Sequence, residues 1–263
     1  MLNEQQIQDN WKRFREIVNT EFSGERKDKL NEMYDQFEER IVLAPASGKE
    51  HFHNAFPGGY IDHVLRVIDY SLENLEQWER RGATIDFTRE ELVFSAMHHD
   101  LYKAGTLTQD HYVQNDSQWH REKQGLIYKF NENIINMPSW MRSYYTLQSF
   151  GITMTEYEMI SIQCADGMYS PDTETILKQH ELAKALKTNL PHILHHADMC
   201  ASRVEFDKWF KNKSLTNPLG ITKRDDENPI MLGKKNIGRI STIVEKNNKI
   251  ADKQKQIFDD LFK

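Results

Sequence analysis

Pro57-Gly58-Gly59-Tyr60-Ile61-Asp62-His63-Val64-Leu65-Arg66-Val67-Ile68 is the stretch that decides the fold. Three helix breakers open it, and Ile61, Val64, Leu65, Ile68, Leu72 and Leu75 then recur at three- and four-residue steps. That spacing predicts a strongly amphipathic helix, and the helix carries His63.

The same period continues on both sides. Ile7, Trp11, Phe14, Ile17 and Val18 predict a first helix ending near Ser23-Gly24, and Leu30, Met33, Tyr34, Phe37 and Ile41 predict a second. Residues 1–44 therefore read as bracing helices. Thr88 and Glu91 have capping-box spacing, so a helix should start there and run through Leu92, Phe94 and Met97 to His99-Asp100, with Gly105 as its stop. Thr155 and Glu158 repeat the box for a helix closing at Asp166-Gly167. Leu182, Leu186, Leu190, Ile193, Leu194 and Ala197 form a further stripe, with Pro191 either kinking it or starting a new helix and Asp198 near its far end. Residues 106–145 are polar and aromatic, with a helix expected around 121–130. No series of Val/Ile/Thr alternations builds a sheet, so the expected fold is all-α. After Phe210 the composition shifts, which marks 211–263 as an appendage with a last helix at Ile250, Ile257, Phe258 and Leu261. The middle part, 45–210, carries the chemistry.

A 263-residue chain that is 38% hydrophobic can bury a core of ordinary size. Its net charge of −6 gives no global basic footprint, so a large duplex-binding surface is not expected, and a small anionic substrate fits better. The two cysteines, Cys164 and Cys200, form no CxxC pair, which argues against a disulfide framework and a thiolate zinc site and suits a reducing cytoplasm. Met1-Leu2-Asn3-Glu4 begins no basic region followed by an apolar run, and no uncharged apolar stretch reaches the length of a membrane span. A soluble, unsecreted protein with no membrane partner is expected. Absence of GxSxG, GxxxxGK[ST] and GxGxxG patterns removes the serine-hydrolase, P-loop and dinucleotide-fold readings.

His98-His99-Asp100-Leu101-Tyr102-Lys103-Ala104-Gly105 concentrates the chemistry. Adjacent His and Asp donors suit a hydrolytic metal ion, and His63 upstream and Asp198 downstream lie in apolar-periodic segments that can reach the same place. A metal that activates water needs imidazole and carboxylate donors plus an open coordination position. His63, His99, Asp100 and Asp198 supply two of each. Such mixed ligation suits one divalent ion among Mn, Fe, Co, Zn and Mg. Any one of the four alone is more often a hydrogen-bonded core histidine or a capping aspartate. His98 points to a different helix face and reads as a packing residue.

With His53-Asn54-Ala55-Phe56-Pro57-Gly58-Gly59-Tyr60-Ile61-Asp62-His63 before the pair and His196-Ala197-Asp198-Met199 after it, the ordered H…HD…D residues resemble the HD superfamily of metal-dependent phosphohydrolases over about residues 50–205. The run before His63 looks like the HD domains of certain 3′→5′ exoribonucleases and conjugative relaxases, and like single-domain HD proteins of phages and bacteria. The resemblance implies an HD-domain helical bundle, metal ligation by His63, His99, Asp100 and Asp198, a catalytic role for Asp100, and Lys103 facing a substrate phosphate. Two-metal members carry further histidines before the last aspartate. Here that place reads Gln163-Cys164-Ala165-Asp166-Gly167, which favours a single ion.

Trp119, His120 and Arg121 combine an aromatic with cationic groups that could stack a base and bind phosphate, although a solvated helix start explains them equally well. His53 and His111 are candidates for the same pocket. His192, His195 and His196 lack the carboxylate of a zinc helix, and one of them could instead support Asp198. Arg203, beyond Asp198, is a further phosphate candidate. The leading expectation is a phosphohydrolase that cleaves a phosphoester or phosphoanhydride bond of a nucleotide with metal-activated water. Its alternatives are a 3′→5′ exonuclease on single-stranded nucleic acid, which needs a basic track lined with aromatics, and a non-catalytic nucleotide-binding sensor. The pattern fixes no base, phosphate number or oligomeric state.

Overall fold

Glycines set the start of the central helix. Gly58 takes a left-handed backbone, φ 80°, and a Cβ there would press on Ile7, while one on Gly59 would run into the Asn54 carbonyl. Only a chain bare at both positions can turn into α3, Gly59–Arg80, against the first helix. In this computed structural model, residues 1–167 and 170–212 are described. The expected terminal helix around Ile250–Leu261 lies outside them.

Two bracing helices precede α3: α1, Glu4–Glu21, opened by an Asn3/Gln6 capping box, and α2, Gly24–Leu43. After α3 come α4, Arg89–His98, and a 3₁₀ turn at Leu101–Ala104. Strands β1, Tyr112–Gln114, and β2, Tyr128–Phe130, flank the short α5, Gln118–Gln124. The chain continues through α6, Ser139–Ser149, α7, Glu156–Gln163, α8, Pro171–Leu177, and α9, Leu190–Asn212. The fold is all-α apart from the antiparallel β1–β2 pair, in which Tyr112 faces Phe130. Helix α3 packs against α9, α4, α1 and α2, and its stripe of Ile61, Val64, Leu65 and Ile68 is buried among Phe14, Tyr34, Phe94 and Leu194. Among the described residues, no helix is long and apolar enough to cross a membrane.

Three local expectations need correction. The helix expected around 121–130 covers only Gln118–Gln124, because Gly125 takes a left-handed cap at φ 62° and the aromatic-rich Tyr128–Phe130 pairs as a strand. Leu182 and Leu186 join no helix: Pro191 lacks an amide hydrogen and is tolerated only in a first turn, so α9 starts at Leu190 and leaves Leu182 exposed. Helix α4 ends at His98 rather than at Gly105, and Asp100 leaves helical backbone at φ −112°, ψ 15°.

Polar ties lock the helices in place. Arg26 of α2 forks onto the buried Glu158 of α7 at 2.6 and 2.7 Å, reaches Glu90 of α4 at 2.9 Å, and lies over the Phe94 ring. Glu158 also closes the Thr155 capping box, so one carboxylate joins two helices and starts a third contact. His98 is fully buried; its Nδ1–H donates to the Phe94 carbonyl at 2.6 Å and its Nε2 accepts from the Tyr34 hydroxyl at 2.8 Å.

Both His98 nitrogens are satisfied with the ring neutral, and burial holds its pKa down at about 3. The unfolded chain takes up that proton near pH ~6.5, so between ~6.5 and about 3 the unfolded state binds more protons and stability falls as pH falls. The expected contribution is up to about 1.4 kcal/mol per pH unit. Urea denaturation across this range should therefore show a steeper acid loss in wild type than in His98→Gln; equal slopes would contradict it.

Candidate metal centre

Three helices deliver four donors to one point. His63 lies in the second turn of α3, His99 caps the end of α4 with Asp100 beside it, and Asp198 lies in α9. His63 Nε2 is 3.1 Å from Asp198 Oδ1 and 3.5 Å from Asp100 Oδ2. His99 Nε2 is 3.4 Å from Asp100 Oδ2 and 3.8 Å from Asp198 Oδ1. The ligating atoms of His63, His99 and Asp198 lie within 4.8 Å of one another, as do those of His53, His63 and Asp100.

The outer faces of both imidazoles are fixed. His63 Nδ1–H donates to Glu205 at 3.2 Å from either oxygen, and His99 Nδ1–H donates to the Ala96 carbonyl at 2.8 Å. Each ring thus turns Nε2 inward, and neither Nε2 finds an aligned hydrogen-bond partner despite full burial. Two inward nitrogens facing two carboxylates form a donor set that is satisfied by a cation, and the outer hydrogen bonds are those that orient ligating histidines. The residues present fit a divalent ion. Without one, a proton answers the same demand: burial depresses the His63 pKa, but Glu205 and Asp198 outweigh it and lift it to about 10. His99 is likewise raised by Asp100 and Asp198 against its burial.

Lys103 completes the charge pattern. It is 5% exposed, ion-pairs with Asp100 and lies 3.4 Å from His53 Nε2. Burial works against its charge, but Asp100 holds the pKa above the ordinary lysine value. Asp100 is correspondingly held well below the carboxylate range, its burial overcome by Lys103, His99 and His63. Burial together with the charges of Lys103 and His63 keeps His53 neutral.

The structure brings His53, His63, His99, Asp100, Lys103 and Asp198 together. It does not bring Trp119, His120 or Arg121 to them: Trp119 is 57% exposed against the edge of His120, Arg121 donates to the Asn115 carbonyl, and none shares a hydrogen bond or ion pair with the donors. His195 donates to the Ala165 carbonyl and His196 lies near Trp78, so the support expected for Asp198 from this group is not seen. Arg203 stacks over Phe206.

Two residues of the site escaped sequence reasoning. Glu205 is fully buried and joins His63 to Arg66, which also reaches Asp62 at 3.1 Å. The signal was present in the spacing: Glu205 lies seven residues, or two turns, after Asp198, and Arg66 lies three after His63.

Comparison of the chain with protein-family profiles, curated proteins and solved structures finds no match. The chain has a helical fold with a buried His/Asp cluster that is compatible with an HD-like metal site.

Glu205→Gln should keep the fold, read by circular dichroism, and weaken divalent-metal affinity about 10- to 100-fold, because His63 loses the carboxylate that orients it. An unchanged metal dissociation constant would show that Glu205 serves packing alone.

Proposed function

We propose that this chain is an HD-type phosphohydrolase that uses one divalent ion to cleave a phosphoester or phosphoanhydride bond of a nucleotide. The observation that supports it is a buried, charged lysine standing beside two inward imidazoles and two carboxylates. Phosphoryl transfer gains from a fixed cation near the oxygens that gather charge. His63, His99, Asp100 and Asp198 would hold the ion, which when bound supplies Lewis acidity toward a phosphoryl oxygen and a lowered pKa for water.

The chain's own groups do the rest. Asp100 stays ionised and accepts a hydrogen bond from the attacking water, orienting it toward phosphorus. Lys103 Nζ, held charged, offsets the growing charge on the phosphoryl oxygens. His53, held neutral beside Lys103, limits the directions that the ammonium can take. The new phosphorus–oxygen bond comes from water, the leaving oxygen departs in line, and the displaced water proton is lost to solvent. A reducing cytoplasm is the proposed setting, in keeping with two unpaired cysteines.

Purified protein incubated with Mn, Co, Mg or Zn should release phosphate or pyrophosphate from free nucleotides before it shortens a single-stranded oligonucleotide. Lys103→Ala should retain metal and lose about 100- to 1,000-fold in turnover, by analogy with loss of one oxyanion donor. Trimmed oligonucleotides with intact nucleotides would favour the exonuclease reading, and a silent protein with every metal would favour the sensor. Full turnover by a metal-loaded Lys103→Ala would remove the lysine from the reaction.

A further inference from the structure

A cavity of about 550 Å³ opens beyond Tyr102, lined by Tyr102, His111, Phe130, Ile134 and Arg142. Arg142 is the unexplained member. It is 5% exposed, yet its guanidinium donates only to the Ile135 carbonyl and meets no carboxylate among the described residues. Glu132, the acidic residue of the lining, is exposed and forms no ion pair with it. A buried cation without a counter-charge is costly and calls for an anion. His111 adds a second vacancy, since its Nε2 is buried with no hydrogen-bond partner.

The cavity shares a wall with the metal centre. Lys103 Nζ lies 5.7 Å from the centroid of the Tyr102 ring, whose other neighbour is His111 at 5.0 Å. Tyr102, His111 and Arg142 line the cavity together, and Lys103 lies over the Tyr102 ring that forms part of that lining. Its size exceeds that of one phosphate and falls in the range of small-ligand pockets with apolar walls and a few polar groups. Phe130 stacks on Tyr112 at 5.4 Å, meets the His111 ring edge-on at 5.2 Å and is 64% exposed, so the lining keeps aromatic surface open to solvent.

We infer that this cavity seats the nucleoside monophosphate part of the substrate, with the base against the aromatic walls and Arg142 on the phosphate that stays with the nucleoside. The inference rests on the phosphohydrolase reading and narrows its substrate to a nucleoside diphosphate or longer. The bond that breaks joins the bridging oxygen to the phosphorus at Lys103. The bridging oxygen stays on the monophosphate, the water oxygen joins the released phosphate, and one water proton is lost to solvent.

Calorimetric titration in EDTA with the four nucleoside 5′-monophosphates and the matching nucleosides tests this without turnover. At least one monophosphate should bind 10-fold or more tighter than its nucleoside, and Arg142→Gln, which keeps an N–H donor for Ile135, should erase most of that difference, about 10- to 100-fold. Lys103→Ala should leave the difference in place. Phe130→Ala, a change at an exposed position, should weaken nucleoside and monophosphate alike. A phosphate preference that survives Arg142→Gln, vanishes in Lys103→Ala or is absent in wild type overturns the inference. A chain that binds monophosphate through Arg142 but hydrolyses no nucleotide keeps the subsite and loses the phosphohydrolase reading.

Discussion

The packing of α3 against α9 brings His63 to 3.1 Å from Asp198, and the rest of the centre is arranged around that approach. Two carboxylates and two inward imidazole nitrogens within a few ångströms would repel or stay unsatisfied unless positive charge lies among them. The fold supplies one fixed cation, Lys103, through its ion pair with Asp100, and leaves the imidazole side for a second. The high His63 pKa expresses the same demand in the language of protons. Metal binding and proton release are therefore linked, and affinity for the ion must fall as the solution becomes acidic.

Behind the donors stands a buried ionic network that is easy to overlook. Glu205 holds His63 from its outer nitrogen and is itself held by Arg66, so α3 and α9 are joined by charge as well as by Val64, Ile68, Leu194 and Ala201. A buried carboxylate of this kind adds little net stability against an apolar replacement, and its contribution is to orientation. His98 shows the contrasting use of an imidazole. It is adjacent to His99, but Tyr34 and Phe94 consume both its nitrogens and leave nothing for chemistry.

Much of this was legible in the chain. Apolar periodicity gave α1 to α4, the capping boxes at Thr88 and Thr155 located the starts of α4 and α7, and the H…HD…D order picked out the four residues that converge. Reading failed where local pattern and tertiary demand part. Leu182 and Leu186 continue an apolar stripe in sequence, but they lie before the start of α9 at Leu190 and belong to no helix. Tyr128–Phe130 looked helical until Gly125 and a partner strand, remote in sequence, decided otherwise. Arg142 is a charged residue on a helix that nothing in its local pattern sets apart, and for it and Glu205 the burial that gives the charge meaning comes from the packed surroundings.

The central claim is that His63, His99, Asp100 and Asp198 together hold one divalent ion. Anomalous diffraction from crystals grown with Mn or Zn, recorded above and below the metal edge, tests it most directly. The account predicts a single strong peak about 2.0–2.2 Å from the two Nε2 atoms and from one oxygen of each aspartate. No peak at this point under saturating metal, or a peak bound by other residues while these four keep their distances, would contradict it.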